Sequence, residues 1–471
     1  MTTPVQENAR MLASALGIAE EEAAEKLERT VLLTAVDEPS HQAWAEDIRE
    51  LLSLTINVVG EVRDGIDAEL VVGTCGPRSH APVLHAWLAA EGATVSRQPP
   101  TVAQLAPHAF LAACAAPMVA GAVLNHVIAE GALPAIALPM TFRFDQLGLA
   151  DGALKRTRDL TGMVLTGAGA VGHGFLHALR HIPVTGSLPI IDPKTVAEGN
   201  FNRCTYLRAD DLGKDKAVVL TQRAQQDFGK LRLDPFVGEF GDYCKKFGPQ
   251  AAVLVTVDSR RARRSIQSEL PGAVIDASTT DIRAIVVHSH RQPNTCACLS
   301  CIYRHVPEEH ARERAVAEGL GVKLDDVKTG LISEDAASRI HAKYPAVDPA
   351  HLVGRAFDSL FKELCAAQAL QSTEGRQVLA PFSFVSSLAG VYLVVELLRV
   401  MDGIADTNYW ATDPWGVPER RGRRLRPKLA DCEFCSRPEV RELAKELWDC
   451  RETTLPAGIT AGGRSPALRV V

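Results

Sequence analysis

The chain has 471 residues, 46% hydrophobic and 23% charged, with a formal net charge of −6. This leaves room for two or three domains around a large core, and the acidic balance excludes a general nucleic-acid binder, which needs a basic face. Eleven cysteines, and a start that lacks the charged-then-apolar layout of a secretion signal, point to thiols, metal or catalysis in the cytoplasm rather than a disulfide framework.

The first part of the chain reads as a worn copy of the second. Leu70-Val-Val-Gly-Thr-Cys-Gly76-Pro-Arg78 parallels Leu254-Val-Thr-Val-Asp258-Ser-Arg260, with Gly76 where Asp258 stands. Val119-Ala-Gly121 likewise parallels Leu388-Ala-Gly390. The first copy has no Gly-x-Gly-x-x-Gly and no equivalent acid, so a structural partner unable to hold nucleotide is expected. Ala109 to Ala132 is apolar, but Pro117, Asn125, His126 and Glu130 interrupt it. A buried core helix is predicted there, not a membrane span.

The best-marked unit begins near Leu160. Thr161-Gly-Met-Val-Leu-Thr166 reads as a buried strand entering Gly167-Ala-Gly169-Ala-Val-Gly172; a helix carrying Phe175, Leu176 and Leu179 follows, then a strand Leu188-Pro-Ile-Ile-Asp192. Asp192 stands twenty positions after Gly172, as dinucleotide-type binding requires. The glycines let the backbone approach phosphates, and the helix start offers N–H donors to an anion. Asp192 is placed to accept hydrogen bonds from a ribose, or else caps a turn. Ala251 to Asp258 is a further buried strand ending in an acid. Alternating strands and helices predict a mostly parallel, Rossmann-like sheet. The basic clusters Arg260 to Arg264 and Arg420 to Arg426 are expected to be solvated faces, or a site for one anionic ligand.

Cys298-Leu-Ser-Cys301 and Cys432-Glu-Phe-Cys435 have the spacing that lets four thiolates share one tetrahedral ion, favouring structural zinc. Cys296 is a near neighbour with a less favourable Cys-x-Cys spacing. Between the pairs, residues from about Pro307 to Gln377 are charged, rich in helix formers and broken by Pro345 and Pro349, which predicts a helical insertion. A core helix is expected after Pro381. One charged helix and a fraying tail should follow Cys435, with no ubiquitin-fold domain.

A dehydrogenase does not account for Asp192-Pro-Lys-Thr-Val-Ala-Glu-Gly-Asn200-Phe-Asn-Arg203 followed by Leu212-Gly-Lys214-Asp-Lys216. With the glycine loop and Asp258-Ser-Arg260, these residues resemble the ubiquitin-activating and sulfur-carrier-activating superfamily, the ThiF-type adenylyltransferases. The resemblance covers about residues 158 to 302 and 380 to 436. It implies that Asp192 holds the ribose, that Asn200, Arg203 and Lys216 line the triphosphate, and that Asp258 carries Mg2+. The Gly-x-x-Lys spacing selects Lys216 over Lys214, although Arg203 and Lys216 also fit as surface cations. Cys204 stands where the family commonly has glutamine. The family also sends an arginine across from a paired domain, for which Arg10 and Arg78 are the candidates. Ubiquitin-activating relatives use a cysteine to take the acyl group, and by position Cys365 is the candidate, although its Leu360, Phe361 and Leu364 surroundings also suit a core thiol.

The resemblance therefore implies ATP-dependent adenylation of the C-terminal glycine of a ubiquitin-like protein, thioester transfer to Cys365 and hand-over to a conjugating enzyme, in a bacterial cytoplasmic system. Sulfur-carrier activation for thiamine or molybdopterin synthesis is the alternative, and an NAD-dependent oxidoreductase a more distant one. The expected domains are residues 1–157 (degenerate α/β half), 158–302 and 380–440 (adenylation domain), 303–379 (helical insertion) and 441–471 (helix and tail). The molecule would be pseudo-dimeric within one chain, with a homodimer also open, and no nucleic-acid or membrane partner is expected.

Overall fold

A computed structural model describes residues 3–448 except 102–105, 129–132, 281, 305–306, 330–331, 346, 354–356, 358–359, 362–381 and 405. Two sheets carry the architecture. The first orders its strands Asn57–Val59, Thr30–Ala35, Ala68–Val72, Val83–Ala89, Gly92–Ser96 and Met140–Arg143. The second runs Leu231–Phe236, Val184–Ile191, Met163–Thr166, Ala252–Val255, Ala273–Thr280, Ala284–Arg291, Tyr409–Thr412 and Arg423–Arg424. With the outermost strands Leu231–Phe236 and Arg423–Arg424 set aside, both sheets have the same order. In each, three parallel pairings are followed by two antiparallel ones. The duplication suggested by two short sequence matches is thus carried by the whole topology.

The central strands Ala68–Val72, Met163–Thr166 and Ala252–Val255 are buried along their full length. Their near-continuous Val, Leu and Ala content suits parallel strands covered on both faces. Each half also sends one long helix back across its sheet before the last strand, Ala109–Ile128 in the first and Ser383–Met401 in the second. Both are apolar and long enough to cross a membrane by length and composition, yet 72% and 100% of those apolar windows lie inside the fold. They pack against each other and merge the halves into a single core that includes Trp44, Phe110, Val119, Leu176, Leu388 and Leu393.

Close contacts fix helix Ser383–Met401 on both sides, within its own half and across to the first. A Cβ at Gly390 would fall 2.3 Å from the Phe175 nitrogen, and one at Gly121 would fall 2.9 Å from the Phe384 ring. Only glycine admits such an approach of helix Ser383–Met401 to helix Ala170–Leu179. Polar ties cross the same boundary: Ser383 Oγ donates to Leu51 O at 2.7 Å, and Arg180 pairs with Asp47 at 2.8 Å.

One arginine in each basic cluster departs from the expected solvated face. Arg263 and Arg423 are buried, not solvated. Arg263 pairs with Asp276 at 2.8 Å, while Arg423 pairs with Glu396 at 2.9 Å and lies over the Trp410 ring. An exposed ion pair stabilises little, whereas a desolvated arginine needs its acid and its flat face covered. The described part of the insertion is helical as expected, with Pro307–Leu320, Leu324–Thr329 and Glu334–Lys343 around a separate apolar cluster of Val316, Leu320, Val327, Ile340, Leu352, Phe357 and Phe361.

Glu396 also accepts from Ser289 Oγ at 2.7 Å and stands 3.4 Å from Arg399; its loss takes the acid from the buried Arg423, while Arg399 keeps Asp406 at 2.8 Å. Glu396→Ala is expected to cost about 3–5 kcal/mol of stability, read as a lower urea midpoint. An unchanged midpoint would contradict this reading of the cluster.

Candidate functional site

The C-terminal ends of the parallel strands in the second sheet gather the predicted residues along one edge. Strand Met163–Thr166 ends at Gly167, whose φ of +104° and whose closeness to Thr256 exclude a side chain. Thr256 Oγ1 secures the turn by donating to Gly167 O at 2.6 Å. Gly169 caps helix Ala170–Leu179, and nothing lies within 4 Å of the place a Cβ would occupy. Gly172 packs against the Gly167 carbonyl. The free N–H groups of the helix start therefore face an open space with positive potential.

Asp192 is buried at the end of the adjacent strand. Its Oδ2 accepts from Ala168 N at 2.7 Å and its Oδ1 from Lys194 N at 2.8 Å, which ties the acid to the glycine loop. The chain then turns through a short helical segment, Glu198–Asn200, pinned by Ala197 N donating to Asn200 Oδ1 at 2.9 Å. Arg203 Nη1 donates to Gly199 O at 2.7 Å and to Asn202 Oδ1 at 2.5 Å; Nε and Nη2 have no partner among the described residues. Lys216 opens helix Lys216–Ala224, its N–H bonded to Lys194 O at 2.9 Å. Lys214 instead points to Asp211, 3.3 Å away.

Cys204 is buried among these groups. Burial pushes its thiol up, while Arg203 and Lys216 act to lower it and Asp192 to raise it, so the fields of all three reach one point. His173, on the glycine-loop helix, accepts from Tyr206 N at 3.1 Å through Nδ1. Burial, with Lys216 adding to it, pushes the His173 pKa down to about 3.

Asp258 follows strand Ala252–Val255 and is 76% exposed, with Lys194 Nζ 3.0 and 2.9 Å from its two oxygens. Lys194 is not among the residues expected from sequence, yet it meets three of them: Asp192 through its N–H, Lys216 through its carbonyl and Asp258 through its ammonium. The available signal is its position two residues after Asp192. Glu239, at the start of helix Phe240–Phe247, is a further acid in the fields of Asp192 and Lys194, and burial raises its pKa.

The two candidate crossing arginines differ in placement. Arg78 stays in the first half, donating to Thr34 Oγ1 at 2.9 Å and Gly60 O at 2.8 Å. It lies beside the fully buried Glu69, which accepts from Thr34 Oγ1 at 2.6 Å. Both side chains bond to Thr34, near the end of Thr30–Ala35, the strand that corresponds to Met163–Thr166. Arg10 lies on helix Pro4–Leu16, which rests against Glu198–Asn200, and pairs with Glu20 at 3.2 Å. Cys365 lies outside the described residues.

Cys298, Cys301, Cys432 and Cys435 converge, all buried, with ligand atoms within 4.8 Å of one another. The Sγ separations are 3.7 Å for Cys298–Cys301, 3.8 Å for Cys298–Cys432 and 3.4 Å for Cys301–Cys435. A zinc ion about 2.3 Å from each sulfur sets tetrahedral edges of about 3.8 Å, so the donor set fits that metal. The Ala297 N–H, bonded to Arg426 O at 3.0 Å, joins the two segments beside the tetrad. Cys296 stays outside it.

Two family models match the chain: the E1 N-terminal domain over residues 1–150 and the ThiF family over residues 145–434. The chain belongs to the ThiF family, within the superfamily of ThiF/E1-type adenylyltransferases. The uncharacterized protein y4jF of Sinorhizobium fredii (strain NBRC 101917 / NGR234) is 26% identical over 257 residues, 51% of this chain and 49% of that protein. This chain thus spans about half the length of the curated relative it matches. Among solved structures, E. coli MccB with MccA-N7isoASN is 13% identical, covering 60% of this chain and 68% of that one at a TM-score of 0.37. PaaA is 20% identical, with coverages of 30% and 43% and a TM-score of 0.24.

Two outcomes are expected. Freshly purified, reduced protein should contain about one zinc per chain, and Cys432→Ser should lower both metal content and thermal midpoint; metal-free protein with an unaltered midpoint would exclude the tetrad as a binding site. His173 stays neutral when folded but takes a proton near pH 6.5 when unfolded. Stability is therefore complete above about pH 6.5 and falls as pH drops, by up to about 1.4 kcal/mol per pH unit from this residue. Urea midpoints measured between pH 7.5 and 5 should show a shallower fall in His173→Gln than in the wild type, and equal slopes would contradict the assignment.

Proposed function

We propose that this chain uses ATP and Mg2+ to adenylate the C-terminal glycine of a ubiquitin-like protein, then takes the acyl group onto Cys365 and hands it to a conjugating enzyme. The observation that carries the proposal is the convergence of the glycine loop, Asp192, Arg203, Lys216 and Asp258 on one sheet edge of a ThiF-family chain. The first half has no glycine loop and has Gly76 where Asp258 stands, which supports a single nucleotide site per chain.

In this reading the loop N–H groups and the start of helix Ala170–Leu179 cradle the phosphates, and Asp192 accepts from the ribose hydroxyls. Asn200, Arg203 and Lys216 line the triphosphate, the two cations neutralising the pyrophosphate as it departs. Asp258 suits Mg2+, an ion commonly held by one or two carboxylates together with substrate phosphates. When bound, Mg2+ supplies further neutralisation of phosphate charge. Ligation by Asp258 would replace its contact with the Lys194 ammonium.

A peptide carboxylate is already ionised at neutral pH, so the first step needs in-line placement and charge neutralisation but no strong base. The carboxylate oxygen bonds to the α-phosphorus, and the bridging P–O bond breaks with its electron pair leaving on pyrophosphate. In the second step the Cys365 sulfur, its proton lost to solvent, bonds to the acyl carbon, and the C–O bond to AMP breaks. A glycine tail is slim enough to reach the α-phosphate.

Pyrophosphate exchange into ATP, run with candidate carriers that end in glycine, tests both steps. Asp258→Ala and Arg203→Ala should each lower exchange by about 100-fold or more. Cys365→Ala should retain exchange but lose the thiol-reducible adduct with the carrier. Undiminished exchange in Asp258→Ala would remove that residue from the chemistry, and an adduct that survives Cys365→Ala would assign the thioester to another thiol.

A further inference from the structure

The first half reaches the second at a point that matters for Arg203. Asn8, on helix Pro4–Leu16, is 3% exposed, and Asn202 beside Arg203 is 1% exposed. Asn8 Nδ2 donates to Leu54 O at 2.8 Å, Asn202 Nδ2 donates to Asn8 Oδ1 at 2.8 Å, and Arg203 Nη1 donates to Asn202 Oδ1 at 2.5 Å. Leu54 caps helix Pro39–Ser53 of the first half. Three hydrogen bonds in series therefore link the end of that helix to the guanidinium.

The series can be satisfied in one sense only. A flipped Asn202 amide would set its NH2 against the arginine N–H, and a flipped Asn8 would set its oxygen against Leu54 O. Both groups are buried, so either mismatch leaves polar atoms without partners or water. The same helix backs the other acceptor of Nη1: a Cβ at Gly199 would lie 3.1 Å from Glu7 Cγ, so segment Glu198–Asn200 is wedged against Pro4–Leu16. With Nη1 held on both sides, Nε and Nη2 are the guanidinium donors left to meet an anion.

We propose that Asn8 is a positioning residue for Arg203, and that the half without a nucleotide pocket acts on the nucleotide through this relay. The inference rests on the reading that Arg203 contacts the triphosphate, and it adds a role for the first half. Asn8 itself touches no ligand; it fixes the amide that fixes the arginine.

The experiment is a double-mutant cycle on the full chain, with ATP·Mg2+ affinity measured by calorimetry alongside thermal midpoints. Asn8→Ala is expected to weaken binding about five- to tenfold in the wild type, but less than about twofold in the Arg203→Ala background. Asn8→Asp keeps the acceptor for Asn202 while setting a carboxylate against Leu54 O. It should melt below Asn8→Ala yet bind ATP·Mg2+ more tightly, an ordering that a merely structural role does not give. Equal penalties in both backgrounds, or affinities that follow the midpoints, would overturn this inference alone. A wild type that binds no ATP·Mg2+, or Arg203→Ala that binds as well as wild type, would overturn the nucleotide reading and this inference with it.

Discussion

The approach of two helix backbones at Gly174 and Gly390 governs where the glycine loop and the residues around it lie. A Cβ at Gly390 would sit 2.4 Å from Gly174 C, and one at Gly174 would sit 2.8 Å from Ser387 Cα. Any larger residue at either place would push helix Ala170–Leu179 away from helix Ser383–Met401 and carry the glycine loop with it. The loop leads into the first turn of that helix, so the direction of its N–H groups is set by packing several residues away. Helix Ser383–Met401 is held in turn against Ala109–Ile128, its counterpart from the first half, through Gly121 and Phe384.

This arrangement divides labour between two copies of one topology. In the second copy the strand ends carry Asp192 and Asp258, with Lys194, Arg203 and Lys216 on the segments that follow Asp192. In the first, Glu69 and Arg78 both bond to Thr34, near the end of strand Thr30–Ala35, and Arg78 reaches Gly60 O. The buried Glu69 carboxylate is itself satisfied, accepting from Thr34, Arg78 N and Ser79. The first copy contributes core, through its long helix, and a reach across the boundary, through Pro4–Leu16.

Local rules encode the part of this molecule that is legible in its sequence. The glycine loop, the acid twenty positions beyond Gly172 and the Cys-x-x-Cys pairs are short patterns whose spacing is itself the constraint, and the apolar runs around Val164, Leu254 and Leu393 reveal strand and core-helix identity through pattern and length. The duplication is only faintly visible because equivalent strands preserve burial rather than residue identity. The rest depends on side chains that meet only in three dimensions. Arg263 and Arg423 look like members of solvated basic runs until the fold brings Asp276 and Glu396 to them. Lys194 meets Asp258 from 64 positions away, and Asn8 meets Asn202 from 194 away, without any periodicity to announce either contact. Charged and amide residues carry little sequence signal about their partners because most such groups are satisfied by water.

A single edge of the second sheet is held to bind ATP·Mg2+, and the first half to bind none. Equilibrium dialysis of the purified chain against ATP with Mg2+ tests this most directly. One nucleotide per chain is expected, lost in Asp192→Ala and retained in Arg78→Ala. Two nucleotides per chain, or none, or binding that survives Asp192→Ala but not Arg78→Ala, would contradict it.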